Sequence, residues 1–297
     1  MSFFQTRRFA RLLLPTLAAV ATGAALAQAP ASPLTIKVYN ADAGSFHVNA
    51  VVVSGKTEAV VIDSGFTRAD ALRVAANVLD SGKSLKAIFI SQADPDYYFG
   101  AEVLKSLFPD AQLLTTPAVR DKIQAKLAGK LAFWGPKMGT NAPRQPLVPT
   151  AMAGTTLSVD GEAIEVRGTT GPLAHRPWVW IPSSRAIVGN IAVFGGLHVW
   201  TADTQKPAER AAWQAQLNEM LSLKPALVVP GHMAAGTALD DSAIRYTQAY
   251  LQRFEAELPK AANASALIAT MQQAYPQAGL GLALDIGAKV NKGEMAW

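Results

Sequence analysis

Apolar residues in this chain come in short runs, broken by polar loops and by longer stretches with helical spacing. Val51-Val52-Val53 and Ala59 to Ile62 flank Ser54-Gly55-Lys56-Thr57, which predicts a hairpin. Asp63-Ser64-Gly65 ends the second strand, and Leu72, Ala75, Ala76 and Leu79 then recur at the spacing of one helix face. A strand over 87–90 runs into the polar stretch "SQADPDYYFG", followed by a helix from about Tyr98 to Phe108. Leu113 to Thr116 reads as a strand, and Pro117 suits the first position of the next helix. Gly and Pro cluster from Phe133 to Pro149, predicting a loop long enough to act as a lid.

Strands return in the second half. Thr156 to Val159 and Ala163 to Val166 flank Asp160-Gly161, a strong hairpin signal. Trp178 to Ile181 and Ala186 to Val188 are two more strands, and Trp213, Leu217, Met220 and Leu221 mark a helix face. Ala226 to Val229 is a strand entering Pro230-Gly231-His232. Helices over about 241–257 and 265–275 precede a tail. No linker separates the two blocks, so the pattern predicts one α/β domain with two layered sheets. In both blocks strands end in polar residues: Asp63 and Gln92–Asp96 in the first, Asn190 and His232 in the second. Strand ends are where α/β proteins usually place their sites.

Composition narrows the picture. Arg7, Arg8 and Arg11 precede an apolar stretch from Leu12 to Leu26 that closes in Ala25-Leu26-Ala27. That pattern reads as a signal peptide over residues 1–27, leaving 28–297 as a single exported, periplasmic or secreted domain. A membrane anchor is the competing reading. Pro15, the short apolar length and the small residues at its end favour cleavage, so no stable membrane insertion is expected. Without those three arginines, 24 basic side chains face 22 acidic ones. Such a balance gives no footing for nucleic-acid binding. There is no cysteine, which removes thiol catalysis and thiolate ligands and leaves His, Asp, Glu, Asn, Gln or Tyr to hold any metal.

Asp94-Pro95-Asp96 alone is an ordinary turn with a helix cap. Set between Asp63 at one strand end and Gly231-His232 at another, it resembles a family motif. The chain resembles the metallo-β-lactamase superfamily from about Val38 to His232, through "VVIDSG", "SQADPDYYFG", "VWIPSSRAIVGN" and "VVPGH". "GKLAFWGP", "HVWTADT" and "KGEMAW" are similar to an exported branch, the Vmh-type members. The resemblance implies a four-layer αββα sandwich of two mixed sheets flanked by helices. It also implies metal-dependent hydrolysis. The family's His-x-His-x-Asp-His is here Gln92-x-Asp94-x-Asp96-Tyr97, a degenerate version, and its bridging Asp is Asn190. A further ligand histidine falls near Pro172, with His175 three residues on.

Two zinc ions about 3.5–4 Å apart need a bridging carboxylate and a full ligand set, so these replacements argue against a binuclear zinc centre. Asp94, Asp96 and His232 would suit one Zn, Fe or Mn ion, with Gln92, Asn190 or His175 as a fourth donor. A site with no metal is the other expectation. Asp96 or His198 is the candidate base, and Tyr97 a candidate donor to a substrate oxygen. Asp63 is expected to orient the motif loop, and Trp134 and Trp200 to wall or cover the pocket. His47 is placed on an early strand as a structural residue. Two functions follow. One is a hydrolase acting through a metal-activated water on a small ester-like or lactone-like molecule. The other is a non-catalytic relative that binds a small molecule or partner.

Overall fold

Strand faces alternate in what they touch, and that alternation builds the layers. The computed structural model describes residues 1–3 and 34–297. The signal-peptide reading, apart from its first three residues, therefore lies outside the described residues. The first sheet holds β1 (Thr35–Asn40), β2 (Asn49–Ser54), β3 (Glu58–Ile62), β4 (Ser84–Ile90), β5 (Gln112–Thr115) and β6 (Thr150–Ala151) in that spatial order. β1 to β3 pair antiparallel and β3 to β6 parallel. The next strands are β7 (Thr156–Val159), β8 (Glu162–Arg167), β9 (Trp178–Ile181), β10 (Ala186–Val188), β11 (Phe194–Gly195), β12 (Leu227–Val228) and β13 (His232–Met233). The second sheet runs β12-β10-β9-β8-β7, and β11 pairs β13.

β3 and β4 are almost continuously apolar because both their faces are buried. Val60, Ile62 and Phe89 pack between the sheets against Val179, Ile181 and Val188. Val61, Ile88 and Ile90 face the other way, onto α1 (Arg68–Ser81), α2 (Pro95–Tyr98), α3 (Ala101–Leu107) and α4 (Pro117–Met138). Trp178 and Trp180 on the outer face of the second sheet meet α5 (Pro207–Ser222), α6 (Ser242–Glu257), α7 (Ala264–Ala274) and α8 (Gly281–Asn291). This is the four-layer αββα arrangement. Among the described residues no helix is long and apolar enough to cross a membrane.

Four expectations change. The α1 face is Ala71, Val74, Ala75 and Val78, while Leu72 and Leu79 are exposed. Both phases satisfy the helical spacing, and close packing selects the smaller side chains. A Cβ on Gly100 would sit 2.8 Å from the Ala71 Cβ, which leaves no room for a leucine there. Phe133 to Met138 is the end of α4, not loop. Pro136 in the last turn removes one hydrogen bond, while Trp134 packs edge-on against Phe46 and Phe66. His47 lies in the turn before β2 with φ +56°, not on a strand. The expected tail folds into α8.

Candidate active site at the strand ends

Asp63 fixes the motif loop. It takes a left-handed conformation, φ +62°, directly after β3 and is fully buried. Its carboxylate accepts from Ser91 N–H and Ser91 Oγ, both at 2.7 Å. Burial still pushes its carboxyl up to about 7, against the lowering effect of those two bonds. Ser64 adds a second clamp, donating from its N–H and Oγ to the Tyr97 carbonyl at 2.8 and 2.9 Å.

His232 enters from β13, opposite Phe194 of β11. Its Nδ1 donates to the Phe46 carbonyl at 2.9 Å, because a carbonyl can only accept, so Nε2 carries the lone pair. Phe194 stacks on the ring at 5.2 Å and Tyr97 meets it edge-on at 5.5 Å. Nε2 then lies 3.5 Å from Asp96 Oδ2. Burial pushes His232 down to about 4. Burial and the neighbouring Asp94 push Asp96 up to about 8. Burial thus opposes charge on both groups.

Gly231 makes this crossing of chains feasible. A Cβ there would lie 1.8 Å from the Asn190 carbonyl oxygen and 2.7 Å from Tyr97 Oη.

Asp96 and His232 open onto a cavity of about 190 Å³. Its walls are apolar: Phe46, Phe66, Trp134, Phe194 and Trp200, closed by residues 280–286 of α8 and its approach and by Trp297. Asp94 and Lys130 are its other polar groups, with Lys130 Nζ 3.5 Å from Asp94 Oδ1.

The remaining expected site residues are committed elsewhere. Gln92 donates its amide to the Pro177 carbonyl at 3.0 Å. Asn190 is a backbone peg: its amide donates to the Val229 carbonyl and its oxygen accepts from Val193 N–H. Tyr97 is fully buried and donates to the Asn190 carbonyl at 3.2 Å, so it does not face a substrate. His175 lines a separate small notch with Gln92, Lys122, Lys126 and Asp203. His198 does not line the cavity. Its Nδ1 meets Tyr250 Oη at 3.0 Å, and its N–H donates to the Gly279 carbonyl, holding the approach to α8. Trp134 and Trp200 do line the cavity, Trp134 from a helix rather than from a lid loop.

Residues 43–232 match the family model of the metallo-beta-lactamase superfamily. The chain belongs to that superfamily. Among solved structures it is similar to a metallo-beta-lactamase from Pontibacter korlensis, at 20% identity over 76% of this chain and 97% of that one, TM-score 0.53. A metallo-beta-lactamase family protein from Thermus thermophilus matches at 16% identity, over 88% of this chain and 92% of that one, TM-score 0.61. DIM-1 metallo-beta-lactamase matches at 18% identity, over 75% and 98%, TM-score 0.53. At these identities the likeness is one of fold. No curated protein matches the chain.

Superfamily members are metal-dependent hydrolases that generally use divalent ions such as zinc. The donors present here do not fit that centre. Gln92, Asn190 and Tyr97 are tied to backbone carbonyls or amides, and His175 belongs to the other notch. Asp96 and His232 face one another, but Asp94 pairs with Lys130. Among the described residues no three carboxylate or imidazole groups gather as an ion's ligand set.

Sequence reasoning missed Lys130, Phe46, Phe194 and α8. The alternation of Leu282, Ala283, Leu284 and Ile286 after Gly281 was a helix signal within reach.

Proposed function

We propose that the chain is a hydrolase of small ester-like or lactone-like molecules whose working groups are Asp96 and His232. The observation that carries this reading is their 3.5 Å opposition at the wall of an otherwise apolar cavity. A water seated beside the pair, on its cavity side, can donate one hydrogen to each acceptor, Asp96 Oδ2 and His232 Nε2, leaving an oxygen lone pair turned to the cavity. The carboxylate form of Asp96, with its affinity for a proton raised by burial, removes the water's proton as the oxygen attacks a carbonyl carbon; the ester C–O bond then breaks and the proton passes from Asp96 to the departing alkoxide oxygen. His232 holds the water, and its Nδ1–H bond to Phe46 fixes the ring for that task. The apolar walls keep other water away. We propose export to the periplasm on residues 1–27 alone.

The test is hydrolysis of a panel of small esters and lactones by the full chain before and after chelation, with elemental analysis alongside. Activity that survives chelation and falls by about 10²-fold or more in Asp96→Asn supports the reading. Activity that disappears with chelation and returns with one bound ion per chain would replace it with a metal-centred one. No hydrolysis of any panel member would leave a binding protein on this fold.

A further inference from the structure

Polarity along the cavity runs in an unusual direction. Asp96 and His232 are 6% and 5% exposed, whereas Phe133, Leu282 and Trp297, which line the same cavity, are 54%, 48% and 45% exposed. Asp96 and His232 thus sit at depth, the Asp94–Lys130 pair is partly exposed, and large apolar side chains stand at the mouth. Exposed apolar side chains grouped around an opening mark a surface that expects an apolar partner. They come from α4, from α8 and from Trp297, and so surround the opening from separate parts of the chain.

Two further facts restrict what enters. At about 190 Å³ the enclosed space is below the roughly 300 Å³ at which pockets hold a whole drug-sized molecule, so part of a longer ligand must remain in the mouth. Lys130 is not free for an anionic head. Its ammonium lies 3.5 Å from Asp94 Oδ1 and 4.9 Å from the centre of the Trp297 ring. With no free cation there among the described residues, the polar end suits an uncharged head such as an ester, whose carbonyl carbon meets the water held by Asp96 and His232.

We propose that the cavity binds a slender single-chain amphiphile head first, with a neutral carbonyl at Asp96 and His232 and an unbranched alkyl chain leading out past Phe133, Leu282 and Trp297. This names the substrate class for the hydrolase described above and rests on that reading. The esters it selects are those of straight-chain acyl groups, with the carbonyl carrying the chain outward.

Recognition is measurable apart from catalysis. Methyl ketones of six, eight and ten carbons present the carbonyl without a bond to cleave, and Trp134, Trp200 and Trp297 report binding by fluorescence. Titration of the full chain should show Kd falling by about fourfold for each methylene added. Phe133→Ser and Leu282→Ser, both at exposed positions, should flatten that dependence for the ten-carbon ketone and leave the six-carbon ketone unchanged. Decanoate should bind more weakly than the ketone of equal length. Affinity independent of chain length, an undiminished slope in both rim variants, or tighter binding of decanoate would each overturn the proposal. A steep ketone series in a protein that cleaves no ester would sink the hydrolase and keep the recognition. Hydrolysis with a flat series would do the reverse.

Discussion

The loop from Gln92 to Tyr97 separates two environments. On one side Gln92 and Asp94 border a small notch shared with Lys122, Lys126, His175 and Asp203. On the other, Asp94 and Asp96 border the apolar cavity with His232. Each side has a histidine that burial pushes down to about 4, His232 buried and His175 half-buried, so loss of charge does not distinguish them. Support does. His232 is held at Nδ1 by Phe46, flanked by two rings and opposed by a carboxyl 3.5 Å away at the cavity wall. His175 has a buried Nε2 with no hydrogen-bond partner among the described residues, and the neighbouring Lys122 adds to its loss of charge. A buried histidine becomes useful through a fixed tautomer and a reachable partner, and burial alone supplies neither.

That contrast breaks most visibly on substitution. His232→Ala should reduce ester hydrolysis by about 10²-fold or more, because it removes the acceptor that holds the water. His175→Gln should stay within about threefold of wild type, since it reaches neither the water nor the cavity. Comparable losses in both variants would show that the two sides of the loop act as one site. Next in size is the pH dependence. Asp96 acts as a base only when deprotonated, and its proton is held up to about 8. kcat/KM should therefore climb as pH rises through about 8 and level off above it. A rate that is flat from pH 6 to 9 would remove Asp96 from the role.

Stability carries the opposite sign at the same residue. Asp96 keeps its proton to about 8 in the folded chain but titrates near 3.8 when exposed. Between those values the folded state binds more protons, so wild type loses stability as pH rises through the window. Asp96→Asn, neutral throughout, should gain about 1–3 kcal/mol over wild type at pH 9 and converge with it near pH 4. Thermal melts at both pH values check this. An equal difference at the two would mean that the carboxyl is not held protonated by the fold.

Much of the layer architecture was legible because strands buried on both faces leave continuous apolar runs, as in Val60-Val61-Ile62 and Ile88-Phe89-Ile90. Turn chemistry was equally plain in Asp160-Gly161 and in Pro117 after the capping Thr116. The phase of α1 was not, because Ala71 won its place by fitting under Gly100, a constraint from a segment about thirty residues away in sequence. The site was half legible. Motif resemblance led to Asp63, Asp96 and His232, whose positions follow strand ends. It also led to Asn190, Gln92 and Tyr97, polar residues that proved to satisfy backbone groups instead. Residue type cannot separate those roles, since an amide that pegs a carbonyl and one that faces a ligand look alike in a string. The cavity walls come from α4, α8 and the Phe46 turn, and only the folded chain brings these together.

The smallest expected effect isolates the notch. Exposed histidine titrates near 6.5, while His175 in the fold is pushed down to about 4. Between these values the unfolded chain takes up a proton that the folded chain refuses, so stability falls as pH drops through the window. His232 contributes a loss of the same sign over the same range. His198, also pushed down by burial, adds a third, so His175→Gln removes one of three contributions and should reduce, without abolishing, the decline in Tm from pH 6.5 to 4.5, by no more than about 3 °C at the acid end. Lys122 and Arg176 oppose charge on His175, while Asp203 and Glu209 favour it. An unchanged decline in the variant would mean that these acids win and that His175 is charged in the fold. The notch would then hold a charged His175–Asp203 pair, and the likeness between the two histidines would disappear.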